Sequence, residues 1–330
     1  MDKRLFRLSA WLLVAGMIVS TAWAGDLKVF YPPTHTGWVL QTPSGKVYVI
    51  NPGVSAEFYG TAAKRGQGIG TYLKSLGIKT VHGVVISHPH PDHYAAGVEL
   101  FRDFKVLELI DTGFNAKSNH FGGYNAAFWK AFQASGAKHR TGLRAGTALA
   151  WDPELTVKVL GPKEPFWTYA DAGKDPERYY NENSLVLWVK HGAVSYLFTG
   201  DITPPAQNFL RLNAATEIRD TAILAIPHHG KYYHNDAFGK LVGMSHPSVR
   251  LGIASENHGK KGPKADTVPE WRRSGLNVYV GDGNNEVTVT STGGAEFIVE
   301  TTHPSSTKTY RIVSSPSPGP PIDRPIIMPD

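Results

Sequence analysis

The sequence predicts an α/β protein in which two sheets pack face to face with helices on their outer surfaces. Three observations lead there. Short strand-like runs recur in both halves of the chain, helix-like segments are interspersed among them, and tight turn signals join neighbouring strands into hairpins. Of the 330 residues, 41% are apolar, 11% aromatic and 19% charged. That composition supplies a full core and excludes collagen-like, coiled-coil and wholly disordered classes. One sandwich with a shared site along its edge accounts for the pattern better than two separate domains.

The chain opens with Lys3, Arg4 and Arg7, then an apolar run from Leu8 to Val19, then Ala22-Trp23-Ala24 before Gly25. A basic start, a short apolar stretch and small residues at −3 and −1 predict a signal peptide over residues 1–24, cleaved after Ala24. The apolar run is shorter than the ~20 residues of a membrane span, so no stable anchor is expected after cleavage. The mature protein is expected to be secreted or periplasmic. Cleavage lowers the net charge from +6 to +4. No cysteine is present, which excludes disulfides, thiolate metal sites and cysteine nucleophiles. Any metal must be held by His, Asp, Glu or Asn.

Strands are expected over Lys28–Tyr31, Trp38–Thr42 and Val47–Asn51, with Pro43-Ser44-Gly45 as a hairpin turn. Further strands are expected over Val81–Ser87, Val106–Asp111, Leu155–Leu160, Leu185–Lys190 and Val194–Thr199, the last two joined at His191-Gly192. The series closes with Ile223–Ile226, Val249–Ala254, Val278–Val280, Val287–Ser291 and Glu296–Val299. Helices are expected near 67–76, 94–104, 124–135, 204–213 and 266–274. The folded body is thus residues 25–302. From His303 the chain turns rich in Pro, Ser and Gly, and residues 303–330 are expected to form a disordered tail.

The densest chemistry is Ser87-His88-Pro89-His90-Pro91-Asp92-His93, after the apolar strand Val84-Val85-Ile86. Residues two apart in extended chain point the same way, so His88 and His90 can share one ion. Two prolines restrict the loop and lower the entropy lost on closing a site. Asp92 and His93, at the turn into a helix, can serve a second ion. Ligands are also expected at other strand ends: Asp201 after Leu197-Phe198-Thr199-Gly200, and His228-His229 after Ala225-Ile226-Pro227.

These residues resemble the metallo-β-lactamase superfamily, whose H-x-H-x-D-H signature stands here as residues 88–93. Within it the sequence is similar to the hydrolase domain of ComEC-type competence proteins and their secreted stand-alone relatives. Asn181-Glu182-Asn183-Ser184-Leu185-Val186-Leu187, Phe198-Thr199-Gly200-Asp201 and Pro227-His228-His229-Gly230 carry that likeness, in the family's order, across roughly residues 27–295. The resemblance implies an αββα sandwich with metals at one edge of the paired sheets. It implies that His88 and His90 hold one metal, that Asp92, His93 and His229 hold the other, and that Asp201 bridges them. It prefers His229 to His228, because this ligand commonly stands directly before the glycine. Asp92 and Asp201 are then the catalytic acids.

Three departures stand out. Many superfamily members place a third histidine on the first metal about 19 residues before the bridging aspartate, where this chain has Asn181 and Asn183. An aspartate usually ends the early strand, where this chain has Asn51, which keeps hydrogen bonding but not charge. The acidic Gly-rich segment typical of ComEC-like members is replaced by Pro32-Pro33-Thr34-His35-Thr36-Gly37.

Two divalent ions ~3.5–4 Å apart would lower the pKa of a shared water and supply hydroxide at neutral pH. An all-N/O site suits zinc, in two sites, with manganese as the other candidate. Lys231-Tyr232-Tyr233-His234 and the segment from Asn257 through His258 to Lys264 are basic and suit a phosphodiester backbone; a solvated loop has the same composition. Asn181, Asn183, His228, Lys231 and His258 are secondary substrate-contact candidates. Three functions follow: a hydrolase of phosphodiesters, nucleic acid included; a hydrolase of small-molecule amides or esters such as lactams and lactones; and a binding module with little catalysis.

Overall fold

The computed structural model describes residues 25–32, 37–53, 68–114, 123–230, 236–254, 268–281 and 285–313. Two sheets lie face to face. One has nine strands in the spatial order Ser305–Arg311, Glu296–Thr302, Val287–Ser291, Leu27–Tyr31, Trp38–Gln41, Val47–Ile50, Gly83–Val85, Glu108–Ile110 and Lys138–Arg140. The other has six, in the order Asn277–Val280, Leu251–Ala254, Ile223–Ala225, Val194–Phe198, Val186–His191 and Leu155–Gly161. A small parallel pair, Thr80–Val81 with Lys105–Val106, stands apart from both.

Period-two alternation sorts the side chains between layers. In Leu27–Tyr31, Leu27, Val29 and Tyr31 face the other sheet in a cluster that also takes Trp38, Leu187, Phe198, Ile253 and Phe297. Phe30 points to the opposite face, into a cluster with the helices Ile69–Ser75, Gly97–Asp103 and Ala126–Ser135. A third cluster packs the helices Pro204–Asn213, Ala215–Asp220, Asp236–Leu241 and Val268–Arg273 on the outside of the six-stranded sheet. The architecture is therefore helix, sheet, sheet, helix. The helix Ala126–Ser135 begins where Asn125 Oδ1 accepts the Phe128 N–H at 2.8 Å and ends at Gly136 in the left-handed region.

One expectation is corrected. The tail does not begin at residue 303: Ser305–Arg311 is a strand, paired residue by residue with Glu296–Thr302. Composition misses this because the segment is stabilised by pairing, not by its own apolar content. Tyr310 stacks on Phe297 with ring centroids 5.3 Å apart, and Ile312 is buried at the end of the inter-sheet cluster. Residues 1–24 and 314–330 lie outside the described residues, and among the described residues no helix is long and apolar enough to cross a membrane.

Candidate metal centre

Strand polarity builds the site. Val47–Ile50 and Gly83–Val85 run parallel in one sheet, and Val194–Phe198 and Ile223–Ala225 run parallel in the other. Their carboxyl ends meet at one edge of the sandwich, where side chains from all four loops converge, as is usual for sites at strand ends in α/β sheets. Trp38 of one sheet and Phe198 of the other meet edge to face at 5.4 Å close beneath.

The Asp201 carboxylate is central. Its Oδ2 lies 3.1 Å from His93 Nε2, 3.6 Å from His229 Nε2, 3.8 Å from His228 Nε2 and 3.9 Å from His88 Nε2. Asp92 Oδ2 lies 3.1 Å from His229 Nε2 and 3.3 Å from His93 Nε2. Asp92, His93, Asp201 and His229 are all buried, and each offers a ligand atom within 4.8 Å of the others. His88 and His90 stand beside this group without belonging to it, His88 on the Asp201 side. Their facing nitrogens, His88 Nε2 and His90 Nδ1, are 2.9 Å apart. Two ligands bonded at about 2.05 Å to one ion, at roughly right to tetrahedral angles, are roughly 2.9–3.4 Å apart.

Electrostatics point the same way. Burial alone would raise the Asp92 and Asp201 carboxyls, yet the neighbouring imidazoles, His93 foremost, hold both well below the usual carboxylate range. Burial alone would lower His93, yet the Asp201 and Asp92 carboxylates push it up to about 10. Two buried carboxylates therefore demand positive charge at this point. Burial, then the charges of His93 and His90, keep His88 neutral; burial does the same for His90. Neutral imidazole is the form that binds metal. His93 Nε2 is buried between the two carboxylates with no hydrogen-bond partner of proper geometry. That orphaned nitrogen, and a donor set of imidazole and carboxylate, fit a divalent cation.

Neighbours hold the ligands in place. Ser87 Oγ and Ser184 Oγ lie 2.9 and 3.3 Å from His88 Nδ1, leaving Nε2 to face the site. Asn51 Oδ1 accepts the Ser87 N–H at 2.8 Å. His228 and His229 both adopt left-handed backbone, with φ of 50° and 54°, which turns two consecutive imidazoles inward at the strand end.

Asn181 is fully buried, with Nδ2 3.5 Å from His228 Nδ1 and its Oδ1 unpartnered. Asn183 instead serves the backbone: its Nδ2 donates to the Trp167 and Tyr179 carbonyls, and its Oδ1 accepts the Trp167 N–H. It is a structural residue, away from the ligands. His228 faces the site but also lies 3.2 Å from Glu177 Oε1. Lys231, His258 and His35 lie outside the described residues.

Sequence reasoning gave no role to Ser87, Ser184, Glu177 or Tyr180, whose ring centroid lies 5.5 Å from that of His90. Glu177 and Tyr180 sit on the six-residue helix Pro176–Asn181, whose only local signal is Asp175-Pro176 at its start: Asp175 Oδ1 accepts the Glu177 N–H at 2.9 Å.

The family model described as "Metallo-beta-lactamase superfamily" matches residues 31–213. The chain belongs to this superfamily. The match includes the 88–93 signature and Asp201, while His228 and His229 lie beyond it. Superfamily membership and the His/Asp site together make the protein a metal-dependent hydrolase. It is 23% identical over 217 residues to ComE operon protein 3 of Bacillus subtilis (strain 168). That covers 66% of this chain but only 25% of the relative, so the chain spans about a quarter of that protein's length. Among solved structures it is similar to Igni18, a metallo hydrolase from the archaeon Ignicoccus hospitalis KIN4/I, at 14% identity and a TM-score of 0.47, over 80% of this chain and 98% of that one. It is also similar to Zn(2+)-bound PqqB from Methylobacterium extorquens, at 13% identity and a TM-score of 0.45, over 77% and 87% of the two chains.

Proposed function

We propose that this superfamily member is an extracytoplasmic hydrolase of phosphodiesters that uses two divalent ions, zinc in preference to manganese. The asymmetry of the centre carries the reading. Asp92, His93, Asp201 and His229 already converge, whereas the other half offers His88 and His90, with Asn181 at the sequence position of a third imidazole and His228 facing the site but shared with Glu177. That shortfall leaves room for a substrate oxygen. An anionic phosphodiester oxygen fills it more strongly than a neutral amide carbonyl, because charged acceptors bind cations more tightly.

Bound ions would supply Lewis-acid charge and acidify a water. The chain's own residues do the rest. Ser87 and Ser184 fix the His88 ring, and Asp201 holds its carboxylate between the two halves. Asp92, ionised and facing the site, is the group that orients the attacking water. Among phosphodiesters, nucleic acid is favoured by the basic segments at Lys231 and at His258–Lys264, whose charge suits a phosphate backbone. The leader-like residues 1–24 support export.

A hydrolysis panel on metal-loaded protein tests this: bis(p-nitrophenyl) phosphate, single-stranded DNA, a chromogenic β-lactam and a lactone, with Asp201→Ala as control. Phosphodiester turnover that falls by at least about a hundredfold in the variant is the expected result. Turnover of lactam or lactone alone would overturn the phosphodiester assignment. Protein that takes up no metal from zinc or manganese would overturn the two-ion reading. Cell fractionation tests the location.

A further inference from the structure

The opposite edge of the sandwich carries a second feature. A cleft of about 520 Å³ opens there, with Lys46, Tyr48, His82, Lys105, Lys138 and Arg140 as its main polar lining. His82 precedes Gly83–Val85, whose far end leads into the histidine loop, and Lys138 opens the strand Lys138–Arg140 in the same sheet. Six residues of extended chain, roughly 20 Å, separate His82 from His88. The cleft is remote from the metal centre.

Its lining is built from donors. His82 Nδ1 accepts the Val47 N–H at 3.1 Å, so the ring proton sits on Nε2 and that nitrogen is a donor. Tyr48 keeps its hydroxyl proton, because burial, then the Glu108 charge, pushes its pKa up to about 12. Lys46 Nζ spends one proton on the Trp151 carbonyl at 2.9 Å, a neutral partner that leaves the ammonium charge uncancelled. Glu108 is the one acid lining the cleft, and Arg140 Nη2 holds it at 3.1 Å. Lys138 and Arg140, two apart on one strand, project to the same side. Edge-strand lysines also discourage pairing with other chains, but that role does not call for Lys46, Lys105 and His82 to line the same cleft.

We propose that this cleft binds a phosphate monoester of up to nucleotide size, its phosphoryl group lying among Lys105, Lys138 and Arg140. Three lysines with no carboxylate partner among the described residues, and the part of the Arg140 guanidinium that Glu108 does not hold, match a dianionic, multiply accepting group, and the volume falls in the range of small-molecule sites.

Calorimetric titration with two probes, inorganic phosphate and adenosine 5′-monophosphate, tests it on three proteins: wild type, Asp201→Ala and Lys105→Ala/Lys138→Ala. The Asp201→Ala control separates the cleft from the metal centre. Saturable binding is expected in wild type and Asp201→Ala, weakened at least about tenfold in the double-lysine variant, with metal content and circular dichroism unchanged there. Tighter binding of the nucleotide than of phosphate assigns the rest of the cleft to the nucleoside; equal affinities confine recognition to the phosphoryl group. Absence of saturable binding by either probe, or binding lost in Asp201→Ala and kept in the double-lysine variant, overturns the proposal.

Discussion

The Asn51 side-chain oxygen accepts a hydrogen bond from the Ser87 backbone N–H at 2.8 Å, tying the end of one strand to the first residue of the histidine loop. Asn51 does this from a left-handed conformation, φ 50°, which asparagine adopts more readily than most residues. Asn51→Ala removes the acceptor and strains the backbone. Urea denaturation should show a loss of about 1–3 kcal/mol, and metal affinity, read by chelator competition, should fall about tenfold or more. Asn51→Asp should restore the loop and keep the affinity.

Gly200 occupies φ 58° immediately before Asp201, and a Cβ there would come within 2.8 Å of Ser87 and 2.9 Å of Ser184. Both serines brace His88, so the strain would reach both sides of the centre. Gly200→Ala should cost about 1–3 kcal/mol from backbone strain alone and reduce metal content by elemental analysis.

His228 and His229 are adjacent but not equivalent. His229 belongs to the group of four whose ligand atoms lie together, and His228 is shared with Glu177 and Asn181. His229→Ala should weaken the ion held by Asp92 and His93 by at least about a hundredfold, beyond what loss of an outer hydrogen-bond partner costs. His228→Ala should leave that ion bound. Metal-to-protein stoichiometry after dialysis distinguishes the two.

Glu182 lies buried behind the site, where it accepts hydrogen bonds from the Thr203 hydroxyl and, at 3.0 Å, from the Ala206 N–H. Burial outweighs these bonds and raises its carboxyl to about 7. The folded state therefore binds a proton more tightly than the unfolded chain, so this group's contribution to stability falls as pH rises from about 4.5 to about 7. Glu182→Gln should flatten that part of the melting temperature–pH profile.

The layered architecture and the 88–93 cluster were legible because each is local. Alternation and turn residues mark the strands, and ligands that share one loop announce themselves. Asp201 and His229 were legible only in company, since Gly-Asp and His-His are common in turns. Glu177 and Ser184 reach the site through tertiary placement and leave no pattern in the chain. The helices Pro176–Asn181, Ala215–Asp220 and Asp236–Leu241 are each six residues long, too short for a helical period to show. Lys138–Arg140 is exposed throughout, and Ser305–Arg311 is largely polar, so neither carries the apolar alternation that identifies a strand. Both are specified by the neighbour they pair with.

Leu27–Tyr31 sits in the middle of the nine-stranded sheet, between Trp38–Gln41 and Val287–Ser291. One neighbour follows it at once on the ribosome; the other emerges far later in the chain. The larger sheet cannot close until then, and closure across so great a sequence separation makes assembly slow. A truncation near residue 285 would remove three adjacent strands, Val287–Ser291, Glu296–Thr302 and Ser305–Arg311, and turn Leu27–Tyr31 from an interior strand into an open edge.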